Sequence, residues 1–313
     1  MLAGPMDTLL TLITPWEFSP TVLVTCLLAA GLFLRGLRRC RREGKSISPW
    51  RTLSFFTGLI LIYGVLQSYF DYVSQHMFWV HRLQHLILHH LGPFLVMLAV
   101  PHEVIGRGIP DRLRESVLLP IWYSRPVHGT YRFLQRPWVA AFLFVGLIYL
   151  WLTPAIHLYV MLSAWLYKLM NWSMAVDGLL FWWLVVDPRS PQEHGTPSYT
   201  TRIVMLWLVM LPQIILGAFI SLSGHDLYNV YSICGRVWPI SPMTDQDIGG
   251  LITWIPAAMM SVLGILVVLR LWTRADRVAV RALRERNRRG ASFRSGTWRT
   301  ARVPASLGGH TGA

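Results

Sequence analysis

HMFWVHRLQHLILHH, residues 76–90, opens an apolar segment that runs on to Pro101 and carries five histidines. The segment is long enough for a helix to cross a bilayer, which takes about 20 apolar residues. On such a helix His81 and His85 stand at i and i+4, on one face and about 5–6 Å apart at Cβ. His89 continues that face by one more turn, and His76 lies just before it. Two imidazoles at this spacing can hold one borderline or soft metal ion between them. Titratable groups are costly inside a membrane and tend to mark functional positions there. A plainer reading has each imidazole hydrogen-bonding a neighbouring helix and binding nothing.

The rest of the chain supports a membrane setting. Of its 313 residues 53% are hydrophobic and only 14% charged, and 15 are Trp. This is the composition of a membrane protein rather than a soluble domain. The first residues lack the basic start and small-residue cleavage site of a signal peptide, so no processing is expected. Cys26, Cys40 and Cys234 fall in separate regions without CxxC spacing, which argues against a disulfide framework or a thiolate metal site.

The net charge of +14 would suggest nucleic acid if it were spread evenly, but it is not. Seven Lys/Arg lie between Arg35 and Arg51, six between Arg107 and Arg136, two at Arg189 and Arg202, and eleven from Arg270 to Arg302. These 26 of 29 fall in alternate inter-helix segments or the tail, while Asp71, Asp226, Asp245 and Asp247 fall on the opposite side. That is the positive-inside asymmetry, so the basic segments face anionic lipid and no nucleic-acid partner is expected.

Seven spans fit this pattern, at about 20–37, 52–70, 76–100, 137–153, 158–186, 201–222 and 250–271. The expected architecture is an all-α, polytopic helix bundle over residues 1–273, with the N-terminus outside and the C-terminus cytoplasmic. The basic stretch 274–313 is expected to fray into a disordered cytoplasmic tail. In this topology His76, His81, His85, His157, His225, Asp245 and Asp247 converge on one outward-opening region.

Other polar groups fall inside the spans. Arg82 is expected to pair with Asp71 or Asp245 in a structural role. Asp177 should be paired or protonated. Met170 and Met174 share a helical face, and their thioethers suit Cu(I), although such a pair more often serves packing. Phe181 to Trp183 read as an interfacial anchor. His81–His85 encloses Arg82, Leu83 and Gln84, so it is not the HExxH of a zinc protease. GxSxG, P-loop and GxGxxG patterns are absent, and no enzymatic activity is expected.

Three motifs carry a family resemblance. HRLQHLILHHLGPFLVMLAVP (81–101) resembles the H-x-x-Q-H segment, followed by two prolines, of the CtaG-type cytochrome c oxidase assembly factors. GLLFWWLVVDP (178–188) is similar to that family's fifth-span signature, and DQDIGGLITW (245–254) to the motif that opens its last span. The family is associated with caa3-type oxidase and copper. The resemblance carries over onto His81, Gln84, His85, Pro93 and Pro101 in the third span. It carries over also onto Gly178, Phe181 and Trp182 in the fifth, and onto Asp245, Gln246, Gly249 and Gly250 at the opening of the last. One stretch departs from it. Where the family would place histidines upstream of the fifth-span signature, this chain reads YKLMNWSMAVDG. Either Asn171, Met174 or Asp177 stands in for them, or the ligand set is smaller.

The resemblance implies a multi-pass factor of the bacterial inner (plasma) membrane that helps mature the oxidase copper centres. Its partners would be oxidase subunits, copper carriers and membrane lipid. The candidate metal ligands are His81, His85, His76, Asp245 and Met174, with copper as the metal. Spacing alone does not choose copper over zinc. Two other classes compete: a haem-binding carrier using His81 or His85 with a histidine of another span, and a purely structural membrane scaffold.

Overall fold

The computed structural model describes residues 18–189, 191 and 196–297, and every regular element among them is helical. Prolines punctuate the chain. Pro20, Pro49, Pro101, Pro137, Pro154 and Pro242 each open a helix, where the missing N–H is no loss and the fixed φ is already helical.

Among the described residues, five helices are long and apolar enough to cross a membrane. They are α1 (Pro20–Arg42), α2 (Pro49–Gln67), α10 (Ala164–Val186), α11 (Tyr199–Ser221) and the first part of α13 (Pro242–Thr297). Two bent pairs raise the number to seven if each counts as one span. One joins Phe78–Leu98 to α6 (Pro101–Gly108) at 71°; the other joins α7 (Arg125–Leu134) to α8 (Pro137–Leu152) at 75°. Phe78–Leu98 itself comprises α4 (Phe78–His85), a π-helical turn at Leu86–Leu91, and α5 (Gly92–Leu98).

Shorter helices fill the connections: α3 (Tyr69–His76), α9 (Pro154–Met161) and α12 (Val230–Cys234). Two of them interrupt expected spans. The second span stops at Ser68, whose extended backbone and side chain cap α3 by accepting from Phe70 N. The expected fifth span is divided into α9 and α10.

Residues to Val268 form one unit, and Leu269 begins a second. The second is helical as far as Thr297, beyond the Arg274 at which fraying was expected. Its alternation of Arg, Ala, Leu and Glu combines strong helix formers. Residues 298–313 lie outside the described residues.

Packing brings α10 against the third span. A Cβ on Gly178 would stand 2.6 Å from His89 O and 2.9 Å from Pro93, so only glycine lets α10 approach the π turn this closely. The Trp182 indole N–H then reaches His89 O at 3.2 Å. Pro93, four residues on from His89, has no N–H to give to that carbonyl, and the indole supplies a donor in its place. Phe144, Phe181, Trp182 and Leu206 fill the core on that side. Phe78, Met170, Met174, Tyr228 and Tyr231 fill the other.

Candidate metal centre

The site begins where α4 begins. An α-helix leaves its first N–H groups without partners. Here the Asp245 carboxylate, from the first turn of α13, accepts from Phe78 N at 3.1 Å and Trp79 N at 2.9 Å. It also pairs with Arg236 Nε at 3.1 Å. A Cβ on Gly249 would collide with the Phe78 ring, so the glycine after the aspartate lets α13 lie against α4.

Further along α4, Gln84 fixes the rotation of the helix. Its Nε2 donates to Val65 O and to Asp71 Oδ1, each at 2.7 Å. Its Oε1 lies 3.1 Å from Ser74 Oγ and 3.2 Å from Tyr167 OH. Tyr167 OH in turn donates to Asp71 at 2.8 Å. Both amide protons are thus used and the amide oxygen shares the Ser74 and Tyr167 hydroxyls with Asp71, a network that ties α2, α3, α4 and α10 together.

With α4 held at both points, His81 and His85 turn into the bundle. They are 0% and 1% exposed, their ring centroids are 4.4 Å apart, and the planes are tilted by 35°. None of the four ring nitrogens makes a well-formed hydrogen bond among the described residues; the Ser74 backbone beside His81 and the Asn171 side chain beside His85 come near without closing one. Buried polar groups are nearly always partnered, so four orphans side by side need an explanation.

His157 adds a third ring, 5.2 Å from His81 and edge-on to it. Its nitrogens are already used. Nδ1 lies 2.9 Å from Trp151 O and Nε2 lies 2.9 Å from Tyr231 OH. Because a carbonyl only accepts, Nδ1 carries the proton and Nε2 accepts from the tyrosine. His157 therefore orients and walls the site without offering a free lone pair.

The other candidates divide. Met174 is buried and lines a cavity of about 10 Å³ together with Arg82, His85, His89 and His90. His76 lies apart, half-buried, with Nδ1 on Tyr72 O at 2.8 Å and its ring against Tyr72. Asp245 has both oxygens engaged as a helix cap. His225 is turned to Ser223. No group of three or more His, Cys, Asp or Glu among the described residues is placed to hold a metal ion.

The expected histidine stripe changes character after His85: His89 still lines the same small cavity, but it and His90 have partners. The wider π turn at Leu86–Leu91 shifts the helical phase, so His89 meets Asp177 on α10 and His90 meets Gln213 on α11, at 2.9 and 3.0 Å. Asp177 is thereby paired, as its depth required. Arg82 departs from expectation: its Nε donates to Thr253 Oγ1 at 2.9 Å, and neither Asp71 nor Asp245 pairs with it. Sequence reading missed Tyr231 and Tyr167 as partners of the site, and no motif marks either.

The sequence profile of the cytochrome c oxidase caa3 assembly factors matches residues 31–275, most of the chain. The chain belongs to this family. As a caa3 assembly factor family member it has an all-helical build, and the matched region contains the whole His81–His85 neighbourhood. Uncharacterized proteins of Mycobacterium bovis and Mycobacterium tuberculosis are each 27% identical to it over 280 residues. The aligned region is 86% of this chain but 41% of each relative, so the chain spans about two-fifths of their length. No solved structure matches.

Proposed function

We propose that this caa3 assembly factor family member takes part in maturing cytochrome c oxidase in the bacterial plasma membrane. Its part is to bind copper as cargo through His81 and His85. The observation that carries the reading is the pair of fully buried imidazoles whose four nitrogens make no well-formed hydrogen bond among the described residues. Burying polar nitrogen without a partner costs free energy, and a metal ion taken between the rings offsets it. Neutral imidazole suits copper, and the buried thioether of Met174 in the cavity beside His85 suits Cu(I) in particular.

A site with so few protein donors fits an ion that is handed on better than one that is stored. The partners on either side are a copper carrier and an oxidase subunit. The haem alternative is disfavoured by space, because a cavity of about 10 Å³ holds one water-sized occupant and not a macrocycle.

Metal analysis of the purified protein beside the His81→Ala/His85→Ala double variant tests the reading. Copper close to one equivalent in the wild type, lost in a variant that still inserts and folds, is the expected result. Equal copper in both, or a variant that still supports oxidase maturation, removes it.

A further inference from the structure

Among the described residues, the third span carries a cation that no carboxylate pairs with. Arg82 lies between the two candidate ligands in sequence and is 4% exposed. Its Nε donates to Thr253 Oγ1, and that hydroxyl spends its own proton on Gly249 O at 2.8 Å. Among the described residues Arg82 forms no ion pair, and the nearby acids are committed elsewhere. Asp245 caps α4 and pairs with Arg236, Asp177 holds His89, and Asp71 takes Gln84 and Tyr167. A guanidinium does not lose its proton in a protein. An unpaired charge this deep among membrane-spanning helices is costly and is kept where it acts.

Its position says on what it acts. Arg82 and His85 are i, i+3 neighbours on α4 and line the same small cavity. We infer that Arg82 sets the charge selectivity of the His81–His85 pair, admitting a soft monovalent cation and rejecting divalent ones. The inference rests on the copper reading above and adds the valence of the cargo. Coulomb repulsion scales with the charge of the arriving ion, so one fixed positive charge opposes a divalent ion twice as strongly as a monovalent one at the same place. Imidazole alone supplies no such preference, since zinc, Cu(II) and Cu(I) all accept it. Burial away from solvent ions keeps the repulsion from being screened. Arg82 does not touch the metal; it is a specificity residue acting through space.

The test is anaerobic competition titration of the purified full chain in detergent with Cu(I) and with Zn(II). Wild type is compared with Arg82→Met and Arg82→Lys. Removing the charge should raise Cu(I) affinity by roughly tenfold and Zn(II) affinity by roughly the square of that factor. Arg82→Lys, which keeps the charge, should keep the wild-type ratio of the two affinities. If Arg82→Met does not fold, Thr253→Asp neutralises the guanidinium in place and should shift the ratio in the same direction. Equal factors for the two ions in the variant that folds overturn the inference while leaving the copper reading intact. Failure of the wild type to bind Cu(I) removes both.

Discussion

Asp245 caps the helix that starts at Phe78, reaching across 167 positions of sequence to do so. The contact fastens the opening of α13 to the opening of α4 and so fixes where the imidazoles of the third span begin their climb. Asp245→Asn keeps one acceptor but leaves Arg236 without its counter-charge and one helix N–H without a partner. A loss of about 1–3 kcal/mol in unfolding free energy is expected, with copper affinity affected only as far as the helix shifts. Denaturant unfolding in detergent measures the first quantity, and an unchanged midpoint would contradict the capping role.

Replacing the ligand pair by Leu should make the metal-free protein more stable. His81→Leu and His85→Leu remove no well-formed hydrogen bond among the described residues, only the near contacts of His81 with the Ser74 backbone and of His85 with Asn171, and they substitute apolar groups of similar volume. Each should contribute about 1–2 kcal/mol. A melting temperature at or below wild type in the metal-free state would mean that the imidazoles have partners after all.

Gln84 behaves in the opposite way. Gln84→Leu leaves Asp71, Ser74, Tyr167 and Val65 O to rearrange around a buried apolar side chain. The expected loss is at least about 3 kcal/mol, because several polar groups lose partners at once. Gln84→Glu retains the acceptor side of the network and should lose less. Comparing the two midpoints by denaturant unfolding checks the order, and the reverse order would break the account of Gln84 as the tie between helices.

For topology, the 26 basic residues on one side predict a cytoplasmic C-terminus. A reporter active only in the cytoplasm should work when fused after Arg274, and one active only after export should not. Activity of the exported reporter there would put the His81–His85 pair in the inner half of the membrane instead of the outer.

The helical class was legible, and the seven expected spans fall at the upper end of the five to seven candidates, because both follow from apolar length and proline placement. The pairing of His81 with His85 was legible because i, i+4 needs nothing beyond a helix. His89 was not, since periodicity assumes a constant turn and the π segment at Leu86–Leu91 breaks it. Asp245 read as a ligand because a carboxylate near histidines suggests metal, while its work as a cap depends on a contact that sequence separation hides. Arg82 was assigned an acidic partner on the general rule that buried charges pair. It is an exception to that rule, bonded to a threonine hydroxyl instead.

The turn that ends the third span depends on the second. Val100 sits in the left-handed region at φ 53°, ψ 56°, which a β-branched residue adopts only when its surroundings impose it. What imposes it is Arg51, at the start of α2, whose guanidinium reaches Ala99 O at 2.8 Å and Val100 O at 3.2 Å. Local preference alone disfavours that turn by about 1–3 kcal/mol. The Arg51 contact from the second span offsets that cost. The direction of α6 therefore depends on the second and third spans being paired, and a change at Arg51 is expected to loosen the bend before it loosens either helix.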